Sequence, residues 1–111
     1  MERRLERAAV VTGAARGIGL AIANSLLRDG FLVLATDIDE ISLYQADYET
    51  QERDRILRIP CDVSRERDVL LLFKEVESRF GSLDVLVNNA GIQTHEPVSY
   101  THLTLPTKRI V

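Results

Sequence analysis

The sequence predicts an α/β protein, a parallel sheet with helices packed on its faces. Short apolar runs recur along it, at Ala8–Thr12, at Phe31–Asp37, within Arg55–Val63 and at Leu83–Asn88. Each has the length and composition of a strand buried on both sides. Half-polar stretches of helical period lie between them. An order of strand and helix in strict alternation calls for parallel pairing through crossovers.

The first run, AAVVT, stops at Gly13. From Gly17 a helical period takes over, with Ile18, Ala21, Ile22, Ser25 and Leu26 as its expected inner face. Arg28 and Asp29 lead to Gly30, a helix stop. After FLVLATD (Phe31–Asp37), the stretch Ile38–Asp54 is polar and weakly periodic, so its helix should be short or irregular. The third strand lies in RILRIPCDV, with Pro60 near its end, where a missing N–H is tolerated. Ser64 is the expected N-cap of the next helix, and Glu66 and Asp68 put negative charge where the helix dipole favours it. Val69, Leu72, Phe73, Val76 and Phe80 mark its inner face, and Gly81 ends it. LDVLVN then runs into Asn89-Ala90-Gly91.

Composition narrows the function classes. A hydrophobic content of 45% and a charged content of 28% suit a soluble globular domain. The net charge of -3 offers no footprint for nucleic acid or an anionic membrane. One cysteine, Cys61, excludes an internal disulfide, and no Cys/His cluster accompanies it to hold zinc. It reads as a small buried filler. His95 and His102 have no partner at metal or triad spacing and read as loop histidines. Asp39, Glu40 and the Glu49–Asp54 stretch read as a solvated face. The opening MERRLER is followed by no long apolar segment of the secretory kind, so cytoplasm is the expected location.

The chemistry concentrates in TGAARGIG, Thr12–Gly19, where glycines stand at 13, 17 and 19. Such a loop needs one glycine for a tight turn out of the strand, one for close approach of a phosphate and one for close packing of helix on strand. The helix N-terminus behind it offers unpaired N–H groups and a positive dipole end to a pyrophosphate. Because the loop follows a strand and opens a helix, the context is that of a nucleotide site and not of a bare turn.

The G-x-x-x-G-x-G spacing, together with Asn88-Asn89-Ala90-Gly91 and the Asp62-Val63 pair after the third strand, resembles the short-chain dehydrogenase/reductase family in its classical branch. The resemblance runs from Ala8 to about Ile92. It implies a Rossmann-type sheet in the order 3-2-1-4, truncated here after the fourth strand, and an oxidoreductase that moves a hydride between NAD(P) and an alcohol or ketone. It further implies that Gly13, Arg16, Gly17, Ile18 and Gly19 line the pyrophosphate and adenosine side. Asp62 and Val63 would meet the adenine, Asn89, Ala90 and Gly91 would flank the ribose and nicotinamide end, and Asn88 would tie the central strands. The intact parent would be a homo-oligomer. Its substrate stays open between a 3-oxoacyl thioester, a sugar or polyol and a steroid-like ketone. A regulatory module that binds NAD without catalysis is one alternative, and a non-functional truncated fragment, inactive as written, is the other.

Asp37 ends the second strand, where a dinucleotide fold reads the adenosine ribose. A carboxylate there accepts from both ribose hydroxyls and repels a 2′-phosphate, which favours NAD over NADP. Arg16 pulls toward NADP, since a basic residue in this loop accompanies that cofactor in part of the family. The charge that faces the phosphate directly is expected to prevail.

The family's proton transfer relies on a Tyr-x-x-x-Lys pair, and no catalytic residue is assigned here. Four positions after Tyr44, Tyr48 and Tyr100 stand Tyr48, Glu52 and Thr104. The segment VSYTHLTLPT (Val98–Thr107) resembles no part of the family, but does resemble the translation of a transposon-end sequencing adapter. Residues 1–97 are therefore expected to be the N-terminal part of a dinucleotide-binding domain and 98–111 a non-native tail. With Pro106, Lys108 and Arg109 in it, that tail is expected to leave the far edge of the fourth strand open.

Overall fold

A computed structural model describes residues 6–90, and the backbone of 107–110. Four strands, β1 (Ala8–Thr12), β2 (Leu32–Asp37), β3 (Ile56–Pro60) and β4 (Leu83–Val87), alternate with helices α1 (Gly17–Arg28), α2 (Glu40–Gln45) and α3 (Glu66–Phe80). All pairings are parallel, and the strands lie in the order β3-β2-β1-β4, as the alternation of elements requires. Val10 sits beside Leu34 on one flank and Leu86 on the other, so the middle of β1 is the middle of the sheet.

The two faces of the sheet carry separate cores. On one, Ala9, Val11, Val33 and Ala35 meet Ala23 and Leu27 of α1 and Leu43 of α2. On the other, Val10, Leu34 and Leu86 meet Val69, Leu72, Phe73 and Val76 of α3. Strand side chains alternate between faces, so neighbouring apolar residues of one strand feed different cores. That is why the strands read as unbroken apolar runs.

Three expectations are corrected. The inner face of α1 is not the one centred on Ile18, Ala21 and Ser25, which are exposed, Ile18 to 72%. It is the stripe Gly19, Ala23 and Leu27, with Ile22 and Leu26 at its margins. The helix lies so near the sheet that only small residues fit at its first two turns, and apolar size is a poor guide to burial there. Ser64 is not the cap of α3. That position belongs to Arg65, which makes no side-chain cap bond, while the Ser64 hydroxyl donates to Asp62 Oδ1 at 2.6 Å. Finally, the far edge of β4 is covered. A strand β5 (Thr107–Ile110) pairs with it in parallel, Leu83 beside Thr107 and Leu86 beside Ile110. Pro106 falls just ahead of that strand and withdraws no ladder N–H from it, and charged residues are common on strands at a sheet edge.

Candidate cofactor site

The loop from β1 to α1 is shaped by its glycines. Gly13 and Gly17 both take left-handed backbone conformations, with φ of 63° and 61°, which a side chain would resist. Their surroundings differ. A Cβ on Gly13 would sit 2.8 Å from Asn89 Nδ2, and one on Gly19 would sit 1.9 Å from the Gly13 carbonyl oxygen, whereas one on Gly17 would meet nothing within 4 Å. Gly13 and Gly19 thus let loop, helix and the end of β4 close upon each other, and Gly17 faces open space.

Behind the loop, α1 begins without a cap. Its N-cap residue, Arg16, makes no side-chain cap bond, and no acidic residue stands in the first turn. Its leading N–H groups and the positive end of its dipole are left to whatever anion approaches. A Thr12–Asn89–Ala90 brace steadies the loop from the β4 side. Asn89 Nδ2 donates to the Gly13 carbonyl at 3.1 Å, and the Ala90 N–H donates to Thr12 Oγ1 at 3.0 Å. The Thr12 hydroxyl in turn lies 3.4 Å from both the Val87 carbonyl and Asn88 Oδ1. Asn88 therefore stands between the two central strands.

On the other side, at the end of β2, Asp37 is held by two backbone donors. The Ala15 N–H reaches its Oδ2 and the Asp39 N–H its Oδ1, each at 3.0 Å. A carboxylate has about four lone-pair positions, so two remain for a ligand. Arg16 leans across to the same place and ion-pairs with Asp39, and its guanidinium is also 3.4 Å from Ser42 Oγ. Asp39 caps α2 as well, accepting from the Ser42 N–H at 3.1 Å and the Ser42 hydroxyl at 2.9 Å. Those Ser42 bonds, and after them Arg16, hold its carboxyl below the ordinary value. Asp39 thus keeps the solvent exposure expected of it and is also a structured neighbour of Asp37.

Farther along the mouth, Asp62 accepts from the Ser64 N–H at 3.0 Å and its own N–H donates to Asp68 at 3.2 Å, with Val63 half-buried next to it. Cys61 is buried, and burial first, then the Asp68 charge, pushes its thiol up to about 11, the state of an inert filler. Gly91, His95 and His102 lie outside the described residues.

Two contributors escaped the sequence reading. Tyr48 is buried, and its hydroxyl donates to the Ala14 carbonyl at 2.8 Å, fastening the glycine loop to the α2–β3 connection. Ile38, next to Asp37, is 69% exposed and offers apolar surface beside it. No sequence signal marks Tyr48, because its partner is 34 residues away. Ile38 could have been found, as an apolar residue just past a strand that already ends in a carboxylate.

No group of three or more His, Cys, Asp or Glu residues that could hold a metal occurs among the described residues, and none of their helices is long and apolar enough to cross a membrane. A cavity of about 400 Å³ on β3 is lined by Tyr44, Arg53, Arg58 and Arg79 among others, and includes no residue of the glycine loop.

The chain is matched among known proteins. Residues 7–110 fit the family described as short chain dehydrogenase. The chain belongs to that family. The farnesol dehydrogenase of Aedes aegypti is 44% identical over 94 residues, which cover 83% of this chain and 38% of that one. Among solved structures, 3-ketoacyl-(acyl-carrier-protein) reductase from Brucella melitensis, complexed with NADH, is 35% identical with a TM-score of 0.71, over 86% of this chain and 39% of that one. An actinorhodin polyketide ketoreductase with NADPH is 36% identical with a TM-score of 0.71, over 80% of this chain and 34% of that one. This short chain dehydrogenase sequence thus spans well under half the length of the relatives it matches, and those relatives include complexes with either dinucleotide.

Proposed function

We propose that the chain is the cofactor-binding part of an NAD-preferring oxidoreductase that moves a hydride between the nicotinamide and an alcohol or ketone. The observation that carries this reading is the uncapped start of α1 behind Gly13 and Gly17, with Asp37 held across the mouth from it. The donor set fits a dinucleotide. The α1 N–H groups suit a pyrophosphate, and Gly17 leaves it room to approach. The two lone-pair positions left on Asp37 suit the ribose hydroxyls. Ile38 and Val63 offer apolar surface to the adenine, and Asp62 an acceptor for its amino group. Asn89, Ala90 and Gly91 would flank the ribose and nicotinamide end in this reading.

When bound, the nicotinamide supplies the hydride or takes it. The chain's own residues orient the adenosine half. No tyrosine in these 111 residues stands four positions before a lysine, so the proton-transfer pair of the family is not supplied here. In this reading residues 1–97 are the dinucleotide-binding unit and 98–111 an adapter-derived tail. The substrate class stays as broad as alcohol or ketone, and the parent enzyme works as a homo-oligomer.

Calorimetric titration of the chain with NAD and with NADP tests the cofactor reading. NAD should bind more tightly, and Asp37→Ala should narrow the difference. A chain that takes NADP in preference, or an Asp37→Ala variant with the discrimination intact, would overturn it.

A further inference from the structure

Arg16 and Asp39 form an ion pair beside Asp37. Three charged groups meet at the end of β2. Asp37 Oδ1 accepts from the Asp39 N–H at 3.0 Å, Asp39 ion-pairs with Arg16, and Ala15, the neighbour of Arg16, donates to Asp37 Oδ2 at 3.0 Å. The mouth that would read the adenosine ribose therefore holds one cation and two anions. The cation is turned onto an anion of the same chain.

We infer that Asp39 sequesters Arg16, and that this ion pair keeps the guanidinium from a 2′-phosphate. The inference rests on the proposed dinucleotide reading of the site. Asp39 is well suited to the task because its position is fixed independently of Arg16. It is the N-cap of α2, and both the N–H and the hydroxyl of Ser42 bond to it. Arg16, by contrast, is 69% exposed at its side chain. An exposed pair of this kind adds little to stability. Its effect lies in what the arginine is prevented from doing. A free guanidinium forms short, charge-assisted and frequently bidentate bonds to a phosphate. Removing the Asp39 charge would also take the mouth from a net negative charge to neutrality, with Asp37 still in place.

The test is calorimetric titration of the 111-residue chain with NAD and NADP. Asp39→Asn is the informative variant, because asparagine keeps the cap on α2 while losing the charge. Asp39→Ser serves the same purpose should the first variant fold poorly by circular dichroism. In either, NADP affinity should rise about tenfold, the equivalent of one hydrogen bond to a charged group, and by more than any gain in NAD affinity. In an Arg16→Ala background, Asp39→Asn should give no gain in NADP affinity, since the guanidinium that it would release is gone. That pattern is a coupling between the two residues and not a general charge effect. An unchanged NADP affinity in both neutral variants would overturn the inference, as would a gain that survives loss of Arg16. A parent chain that binds neither dinucleotide overturns the cofactor reading itself, and the inference with it.

Discussion

Replacing Gly19 by alanine should cost this chain much of its stability, although alanine is the better helix former. Alanine is preferred over glycine inside a helix by about 1 kcal/mol, and Gly19 lies in α1. Against that gain stands the Gly13 carbonyl oxygen, 1.9 Å from where the new Cβ would be, with the Gly13 carbonyl carbon at 2.7 Å and Asn89 Nδ2 at 2.8 Å. The oxygen is backbone, so no rotamer can relieve the contact. Loop and helix must part by roughly 1 Å or more, and overpacking on that scale costs about 3 kcal/mol. The same movement strains the bond from Asn89 to the Gly13 carbonyl, worth about 1 kcal/mol. The net loss is about 3 kcal/mol, which lowers the Tm of a domain of this size by roughly 12–24 °C. Gly17→Ala is the internal comparison. Its Cβ meets nothing within 4 Å, so only the left-handed backbone resists it, at about 1–2 kcal/mol. Thermal unfolding followed by circular dichroism measures both. A Gly19→Ala variant that melts within a few degrees of the parent, or a Gly17→Ala variant that melts lower than the Gly19→Ala variant, would refute the claim that close packing of α1 on the loop fixes the glycine.

Tyr48→Phe removes the hydroxyl that serves the Ala14 carbonyl in a buried setting, and should lower stability by about 1–3 kcal/mol; a urea midpoint equal to the parent's would show that the bond contributes nothing. Stability should also fall at alkaline pH. Burial raises the Tyr48 hydroxyl from 10.0 to about 12 and the Cys61 thiol from 9.0 to about 11. Both groups stay neutral in the folded chain after the unfolded chain has lost their protons, so their contribution is complete below pH 9 and is lost as pH rises from 9 to 12. Urea midpoints across that range measure it. A midpoint that stays level from pH 9 to 11 would count against the Cys61 part, which Cys61→Ser should abolish.

Strands and glycine loop were legible because their causes are local. The bounds of β1 and the start of α1 follow from a run of apolar residues meeting glycine, and the buried stripe of α3 from plain helical period. What could not be read depended on distance in space. The inner face of α1 is made of Gly19 and Ala23 because the sheet is near, and nearness leaves no mark on a hydrophobic pattern that favours Ile18. Ser64 has the right chemistry for a cap, yet Asp62, two residues back, competes for its hydroxyl. The roles of Asp39 and Tyr48 at the site rest on partners 23 and 34 residues away. The pairing of Thr107–Ile110 with β4 is likewise a matter of what lies alongside an exposed edge, and backbone groups accept such a partner with little regard to its composition.

The two cores of this sheet are unlike in grain. The one beneath α1 and α2 contains Ala9, Ala14, Ala15, Ala23 and Ala35, while the one beneath α3 is built largely of leucine, valine and phenylalanine. Substitutions should therefore be tolerated in opposite senses on opposite faces. Enlarging Ala23 or Ala35 jams a seam that has no slack, whereas trimming Leu72 or Phe73 hollows out a volume that larger atoms once filled. Along β1, Val10 and Val11 are the same residue, fully buried, one peptide apart, and they answer to these opposite tolerances. A drift toward larger side chains would be felt first on the side that holds the glycine loop, and a drift toward smaller ones on the side that does not.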